Sequence, residues 1–392
     1  MKKNLQYSAL GLACLLAAAV PVQALAATVV SPRFSRSEEE WARLEDNTLE
    51  YDEIEDLIHE YNVTVINNRT SYRDYRGDTP SDVAQRYRDA ASELRDSIEF
   101  PTDPTEISYA TMIMAAQTSE TMAKNLEKQA DNNVDDAQSI YMQYEQVEAN
   151  LVFNTKQNLI SYEQKLLTDQ LSRENRKLLE AQYQSAQVQA SVGNATQMDV
   201  LNAKQAMEQL DSTIISNERD TQTLRQKIAL ATGWSYNAEP VFGELPVIDL
   251  AVTDQIDLEA DKAKALEENY TLKINKRKLE NSTDAAIREN LEKTIHDNQQ
   301  RIASDVQTKY QSLLTARASY ELAIAEQAIE AQKLAAAALR FQTGTASRLE
   351  YQQETYTMQE KDTAVETSKL GFLSAWETYQ AAVKGLASAD AG

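Results

Sequence analysis

Helix breakers are almost absent from most of this chain. Between Thr105 and Thr232, 128 residues, the only glycine or proline is Gly193, and between Ile248 and Thr343, 96 residues, there is none. Nucleotide-binding α/β folds and β-sandwiches depend on turns, and turns draw on Gly and Pro. With 9 Gly and 7 Pro in 392 residues, both classes are excluded. The uninterrupted stretches are rich in Ala, Gln, Glu, Leu and Lys, which favour helix. The expected fold class is all-α, built from long helices. A formal net charge of −22, from 39 Lys+Arg against 61 Asp+Glu, argues against nucleic acid or anionic lipid headgroups as the main partner.

The N-terminus reads as a secretory signal peptide over residues 1–26. Lys2 and Lys3 give a basic start, Ala9 to Val20 is an apolar stretch of 12 residues, and Ala24-Leu25-Ala26 is an A-x-A cleavage site. Twelve apolar residues are too few to span a bilayer, which takes about 20. The single cysteine, Cys14, lies inside this segment, so the mature chain is expected to carry no disulfide and no thiol chemistry. Gly11 stands where a lipoprotein box wants Leu. No second apolar run approaches spanning length. The expectation is an exported protein without a membrane helix.

The chain repeats itself. Gly193-Asn194-Ala195-Thr196-Gln197-Met198-Asp199 matches Gly344-Thr345-Ala346-Ser347-Arg348-Leu349-Glu350 at an offset of 151, and Glu180-Ala181-Gln182 matches Glu330-Ala331-Gln332 upstream. Asn62-Val63-Thr64-Val65 resembles Asn269-Tyr270-Thr271-Leu272, and each copy closes on a further glycine, Gly233 or Gly385. A duplicated unit is the economical explanation. The layout expected is a helical and irregular region over 27–105, with residues 70–105 irregular, and a first long hairpin over 106–233. A Pro-containing linker follows over 234–256, then a second helical repeat over 257–385 and a tail over 386–392.

The helices around the tip glycines carry heptads. In the first copy Val200, Ala203, Met207, Leu210, Ile214, Leu224 and Ile228 fall on alternating 3- and 4-residue steps, interrupted by Asn217 and Thr221. In the second, Tyr351, Met358, Val365, Phe372 and Tyr379 recur every seven residues, with polar Glu354, Lys361 and Ser368 between them. A 3.5-residue period implies left-handed supercoiling. A half-polar seam suits helices packed side by side in an array with one face wet. Gly193 and Gly344 can take the left-handed conformation that ends one helix, Thr196 and Ser347 can cap the next, and Asp199 and Glu350 then fall in its first turn.

These residues resemble the TolC family of bacterial outer-membrane efflux proteins, from about Trp41 to Gly385. That family begins with a signal peptide and has two tandem helical halves, each with a long hairpin whose tip reads roughly Gly-x-x-[Ser/Thr]-x-x-Asp. The resemblance implies an α-barrel: a homotrimer whose twelve long helices form a hollow cylinder. Its hairpin tips would dock a periplasmic adaptor (membrane fusion) protein, and an inner-membrane transporter would supply the energy. The implied docking residues are Gly193, Asn194, Ala195 and Thr196 in the first tip and Gly344, Thr345, Ala346 and Ser347 in the second. The implied tunnel-constriction acids are Asp199 and Glu350; a second acid that the family places one turn on falls at Gln353 and is missing.

A larger departure concerns the membrane. The family inserts barrel strands in each half, and a membrane strand needs about 9–11 alternating residues. Neither Asn269 to Gln307 nor Thr70 to Asp78 alternates, so no β-barrel is expected. An alternative function therefore stands beside the conduit: a coiled-coil scaffold or spacer of the envelope derived from the same fold. Other chemistry finds little footing. His59 and His296 are the only histidines and neither has a second His at ligand spacing, so no metal or cofactor is expected. No nucleophile elbow or phosphate loop is present, and the protein is not expected to be an enzyme. Tyr72, Tyr75 and Tyr87, interleaved with Arg73, Arg76, Arg86 and Arg88, form either a protein-contact patch or a solvated helix and loop.

Overall fold

A computed structural model describes residues 31, 35–98 and 109–389. The expected signal peptide and the last three residues of the tail lie outside the described residues. Four helices dominate: α6 (Ala137–Ser191), α7 (Gln197–Ala231), α10 (Ala285–Gln342) and α11 (Arg348–Ala381). At 1.5 Å per residue, α6 and α10 are about 80–90 Å long and α7 and α11 about 50 Å. Shorter helices precede each long pair: α1 (Glu38–Leu44), α2 (Ile54–Tyr61) and α3 (Val63–Tyr75) in the first half, α8 (Leu258–Glu268) and α9 (Tyr270–Asn281) in the second.

The duplication is built around two asparagines. Asn62 separates α2 from α3 in an extended conformation, accepts from the Thr64 and Val65 amides, and donates to the Ala231 carbonyl at the end of α7 (2.7 Å). Asn269 separates α8 from α9 in the same way. It accepts from the Leu272 amide (3.0 Å) and donates to the Gly385 and Ala387 carbonyls (3.2 and 2.8 Å). Each asparagine thus caps one helix and latches it to the end of the returning long helix. The neighbouring glycines permit the close approach. Gly233 has φ +91, and a Cβ there would lie 2.2 Å from the Tyr61 Cβ; Gly385 has φ +113, and its Cβ would lie 2.6 Å from the Glu268 carbonyl oxygen.

The cores sit at these latches and not at the tips. In the first half Trp41, Leu49, Ile54, Ile58, Val65, Leu159 and Ile228 pack together. In the second, Leu272, Ile302, Val306, Leu313, Phe372 and Tyr379 do so. Phe372 and Tyr379 are the expected heptad positions of α11, both almost fully buried. The linker after α7 returns to the first core through a two-residue parallel pairing of β1 (Thr48–Leu49) with β2 (Val241–Phe242). These are the only strands among the described residues, so the all-α fold and the lack of a closed barrel agree with expectation.

The two halves are joined along α6 and α11, and the seam is polar. Gln157 donates to the Ser374 carbonyl (3.2 Å) and accepts from the Ser374 hydroxyl (2.5 Å), while Gln182 donates to Gln353 (3.2 Å). With α6 also packed on α7, and α11 on α10, the long helices lie in the order α7–α6–α11–α10. The array is a slab; α7 is one free edge, and α10 is the other beyond the part that α8 and α9 cover.

Two expectations need correction. Residues 70–105 were expected to be irregular, but α3 runs to Tyr75 and a further helix, α4, spans Pro80–Asp96. Pro80 starts that helix and does not break it: it occupies the first turn, where its missing N–H is not needed, and Thr79 and Asp82 form a capping box. The stretch 106–233 was expected to be one hairpin, but α5 (Tyr109–Asp131) is a separate helix ending before α6. No Gly or Pro marks that break. Asp136 makes it, accepting from the Ser139 amide (2.9 Å) and pairing with Arg277 (2.5 Å). Helices α4 and α5 form an antiparallel arm, present in the first half only; in the second, Ser282, Thr283 and Asp284 alone join α9 to α10. The Tyr/Arg cluster roots this arm. Tyr75, Val83 and Ile140 pack with Tyr72, Tyr87 and Tyr144, while Arg86 pairs with Asp78 (2.5 Å) and lies over the Tyr75 ring.

Candidate functional site: hairpin tips and slab edges

Both tips are built by the same local rules. Helix α6 ends with Gly193 at φ +80, its amide bonding to the Ala190 carbonyl (3.2 Å) and that of Asn194 to Gln189 (2.8 Å). Helix α10 ends with Gly344 at φ +74, its amide bonding to Phe341 (3.0 Å) and that of Thr345 to Arg340 (2.8 Å). This is the Schellman pattern, which closes the last carbonyls of a helix through a left-handed glycine. Nothing lies within 4 Å of a Cβ built on either glycine. These two are glycine for backbone conformation alone, unlike Gly233 and Gly385.

The acids close the next helix. Asp199 accepts from the Thr196 amide and hydroxyl (2.8 and 2.7 Å), and its own amide donates to the Thr196 hydroxyl (3.2 Å). Glu350 accepts from the Ser347 amide (2.5 Å), and its amide donates to the Ser347 hydroxyl (3.2 Å). Hydrogen bonds from the Thr196 backbone and side chain hold the Asp199 carboxyl below its ordinary value, and those from Ser347 do the same for Glu350. Both carboxylates are therefore ionised, exposed and turned back onto their own caps. Within one chain, Thr196 and Ser347 lie beside their acids, and Asn194, Ala195, Thr345 and Ala346 form the turns themselves.

Several features escaped the sequence reading. The first tip exposes Val188, Val192, Met198 and Leu201, each more than half accessible. The signal was available, because residues 181–198 contain no charged side chain. The second tip exposes Leu339 and Phe341, and Phe341 stacks on Tyr351 at 5.2 Å and 7°. Such ends offer apolar contact area to a partner.

The slab edges are also unfinished. On α10, Ala323, Glu330 and Ala337 are buried at seven-residue spacing. A second stripe, Ala318, Leu322, Ala325, Ile329, Ala336 and Leu339, is exposed over the same length. It keeps 3- and 4-residue steps through Gln332 and carries no charge, the pattern of a coiled-coil seam without its partner helix. At the opposite edge, α7 exposes Met198, Leu201 and Ile215. No group of His, Cys, Asp and Glu among the described residues could hold a metal ion.

No protein-family model and no curated protein matches this chain. Solved structures do. A membrane protein from Pseudomonas aeruginosa is similar over 86% of this chain and 90% of its own, with a TM-score of 0.55 at 13% identity. The Campylobacter jejuni CmeC outer membrane channel is similar over 88% and 87%, with a TM-score of 0.50 at 10% identity. The chain therefore has the fold of the TolC-type outer-membrane efflux channels.

Proposed function

We propose that copies of this chain assemble edge to edge, α10 of one against α7 of the next, into a hollow helical conduit for export across the cell envelope. The observation that carries this reading is the slab with two free edges, one of them a charge-free heptad seam left exposed toward the tip. A slab of four helices whose outer helices both keep an unpartnered face is completed by repetition about an axis. By resemblance to the TolC family the number of copies is three. Transport through such a conduit is passive, so an inner-membrane transporter supplies the energy. The tips, with Gly193 to Thr196 and Gly344 to Ser347 at their turns, dock a periplasmic adaptor through the apolar residues beside them. Rings of Asp199 and Glu350 around the axis then favour cations and repel one another.

The chain is exported to the envelope in this reading. No helix among the described residues is long and apolar enough to cross a membrane. Imaging the purified protein by electron microscopy tests assembly, with a hollow cylinder as the expected result. Leu322→Asp with Ile329→Asp should abolish both the cylinder and export of a dye substrate, because each charge would enter the seam. A wild-type protein that stays monomeric by light scattering would overturn the conduit and leave an envelope scaffold in its place.

A further inference from the structure

Between α10 of one copy and α7 of the next, the slab also restricts how far one helix can slide along the other. Antiparallel neighbours pair residues whose numbers add to a constant. Across α7 and α6 the constant is about 388, from Arg176–Asp211, Lys165–Asp220 and Arg173–Glu218. Across α6 and α11 it is about 533, from Lys156–Glu377, Gln157–Ser374 and Gln182–Gln353. Across α11 and α10 it is about 688, from Lys361–Glu326 and Gln327–Asp362. Residues of α10 and α7 at one height along the slab therefore add to about 543. Rotation about an axis along the helices leaves heights unchanged, so a contact that closes into a ring has to run near this value.

The exposed lines supply a second, independent value. On α7, Gln205, Glu208, Ser212, Ile215, Arg219 and Gln222 are all exposed and follow steps of 3, 4, 3, 4 and 3 residues. The stripe on α10 takes the same steps in reverse, from Leu339 through Ala336, Gln332, Ile329 and Ala325 to Leu322. Two such lines interlock where the paired numbers add to 544, or to values one heptad away, 537 and 551. At 544, Ile215 faces Ile329 and Ser212 faces Gln332, while the two charged residues of the α7 line each face an alanine, Glu208 on Ala336 and Arg219 on Ala325. Within α7, Lys204 pairs with Glu208 (3.5 Å) and Asp220 with Arg219 (3.7 Å). Each stem can thus lie over a methyl while its head keeps a partner in water. At 537 Glu208 would face Ile329, and at 551 Gln222 would face Ile329 and leave Ile215 on Ala336. A slip of one heptad would also raise each copy by about 10 Å over the last and wind the edges into an open filament.

We propose that Glu208 and Arg219, seated on Ala336 and Ala325 of the neighbouring copy, set the register of this seam, bring Ile215 onto Ile329 and let the contact close without rise. The proposal rests on the edge-to-edge conduit and adds to it the residues that align one copy with the next.

Cys14 is the only cysteine, so pairs of thiols introduced in a Cys14→Ser background report the register. Within one chain α6 and α11 stand between α7 and α10, a separation of about 25–30 Å at 8–10 Å per helix pair. A disulfide between the two edges therefore joins two copies. Ile215→Cys with Ile329→Cys is oxidised in the full-length chain, beside the slipped pairs Ile215→Cys with Leu322→Cys and Gln222→Cys with Ile329→Cys, and the products are separated on a denaturing gel. The matched pair should cross-link about tenfold more than either slipped pair, in a ladder that stops at a fixed number of copies. Ser212→Cys with Gln332→Cys repeats the measurement at polar positions if the isoleucine variant fails to assemble. Adding Glu208→Ala and Arg219→Ala to each pair should erase the preference. An assembled cylinder that prefers a slipped pair, or shows no preference, overturns the inference and leaves the conduit standing, and so does a preference that survives the two alanines. A chain that remains monomeric removes both readings.

Discussion

Replacing Asn269 by alanine tests the latch that defines each half. Asn269 is 1% exposed, and its side chain makes three hydrogen bonds, one to the Leu272 amide and two from its NH2 to the Gly385 and Ala387 carbonyls. Loss of the cap costs about 1 kcal/mol. Each buried carbonyl left without its donor adds about 1 kcal/mol or more, for a total of about 3 kcal/mol. Asn62→Ala strands only the Ala231 carbonyl and should cost about 2 kcal/mol on the same reasoning. Urea unfolding followed by tryptophan fluorescence measures both, because Trp376 packs against the second core and Trp41 lies within the first. With a urea m-value of about 3 kcal/mol/M, the Asn269→Ala midpoint falls by about 1 M. Asn269→Asp separates capping from latching: the carboxylate can still accept from Leu272 but faces two carbonyl oxygens without a donor. It should be less stable than the alanine variant at neutral pH. Wild-type stability in Asn269→Asp would refute the latch.

Three further outcomes follow from the same geometry. Gly193→Ala should lower stability only by the cost of a left-handed alanine, about 1–2 kcal/mol. Gly233→Ala must in addition displace the Tyr61 Cβ at 2.2 Å, so its thermal midpoint should fall well below that of Gly193→Ala. Gly371 lies inside α11 with nothing within 4 Å of a Cβ, so Gly371→Ala should stabilise the isolated chain by about 0.5–1 kcal/mol; a loss would show that another copy approaches there. Asp199→Asn with Glu350→Gln removes two carboxylates held below their ordinary values of 3.8 and 4.5. Such groups stabilise above the unfolded pKa, and the contribution is lost as pH falls through the depressed folded one. The wild type should therefore be the more stable at pH 7, and thermal melts should show the gap closing as the pH is lowered below those values.

Local chemistry was legible in the sequence where a single residue decides it. Gly193 and Gly344 announce left-handed helix ends, and Thr196 to Asp199 and Ser347 to Glu350 announce capping boxes, because each involves neighbours three residues apart. The similarity of Asn62 and Asn269 was also visible, but not its purpose, since Asn62 bonds to a carbonyl 169 residues away. Helix α4 is hidden behind Pro80, because a proline opens a helix as readily as it ends one, and only Thr79 and Asp82 tell the cases apart. The break at Asp136 has no breaker residue at all. The exposure of Val188, Val192 and the α10 stripe depends on which helices stand beside them, which periodicity alone does not reveal. Gly371 has no account in either sequence or structure.

The position of the latches turns each hairpin into a cantilever. The first half is clamped at Ala231 and free at Gly193, an overhang of about 38 residues or about 57 Å. A rotation of about 5° at the clamp becomes a displacement of about 5 Å at the free end, comparable to one helical turn. Because the Gln157–Ser374 contact lies near the clamp and the Gln182–Gln353 contact lies far out along the beam, the two hairpins are tied to each other at both places. A displacement of one tip is thus carried to the other.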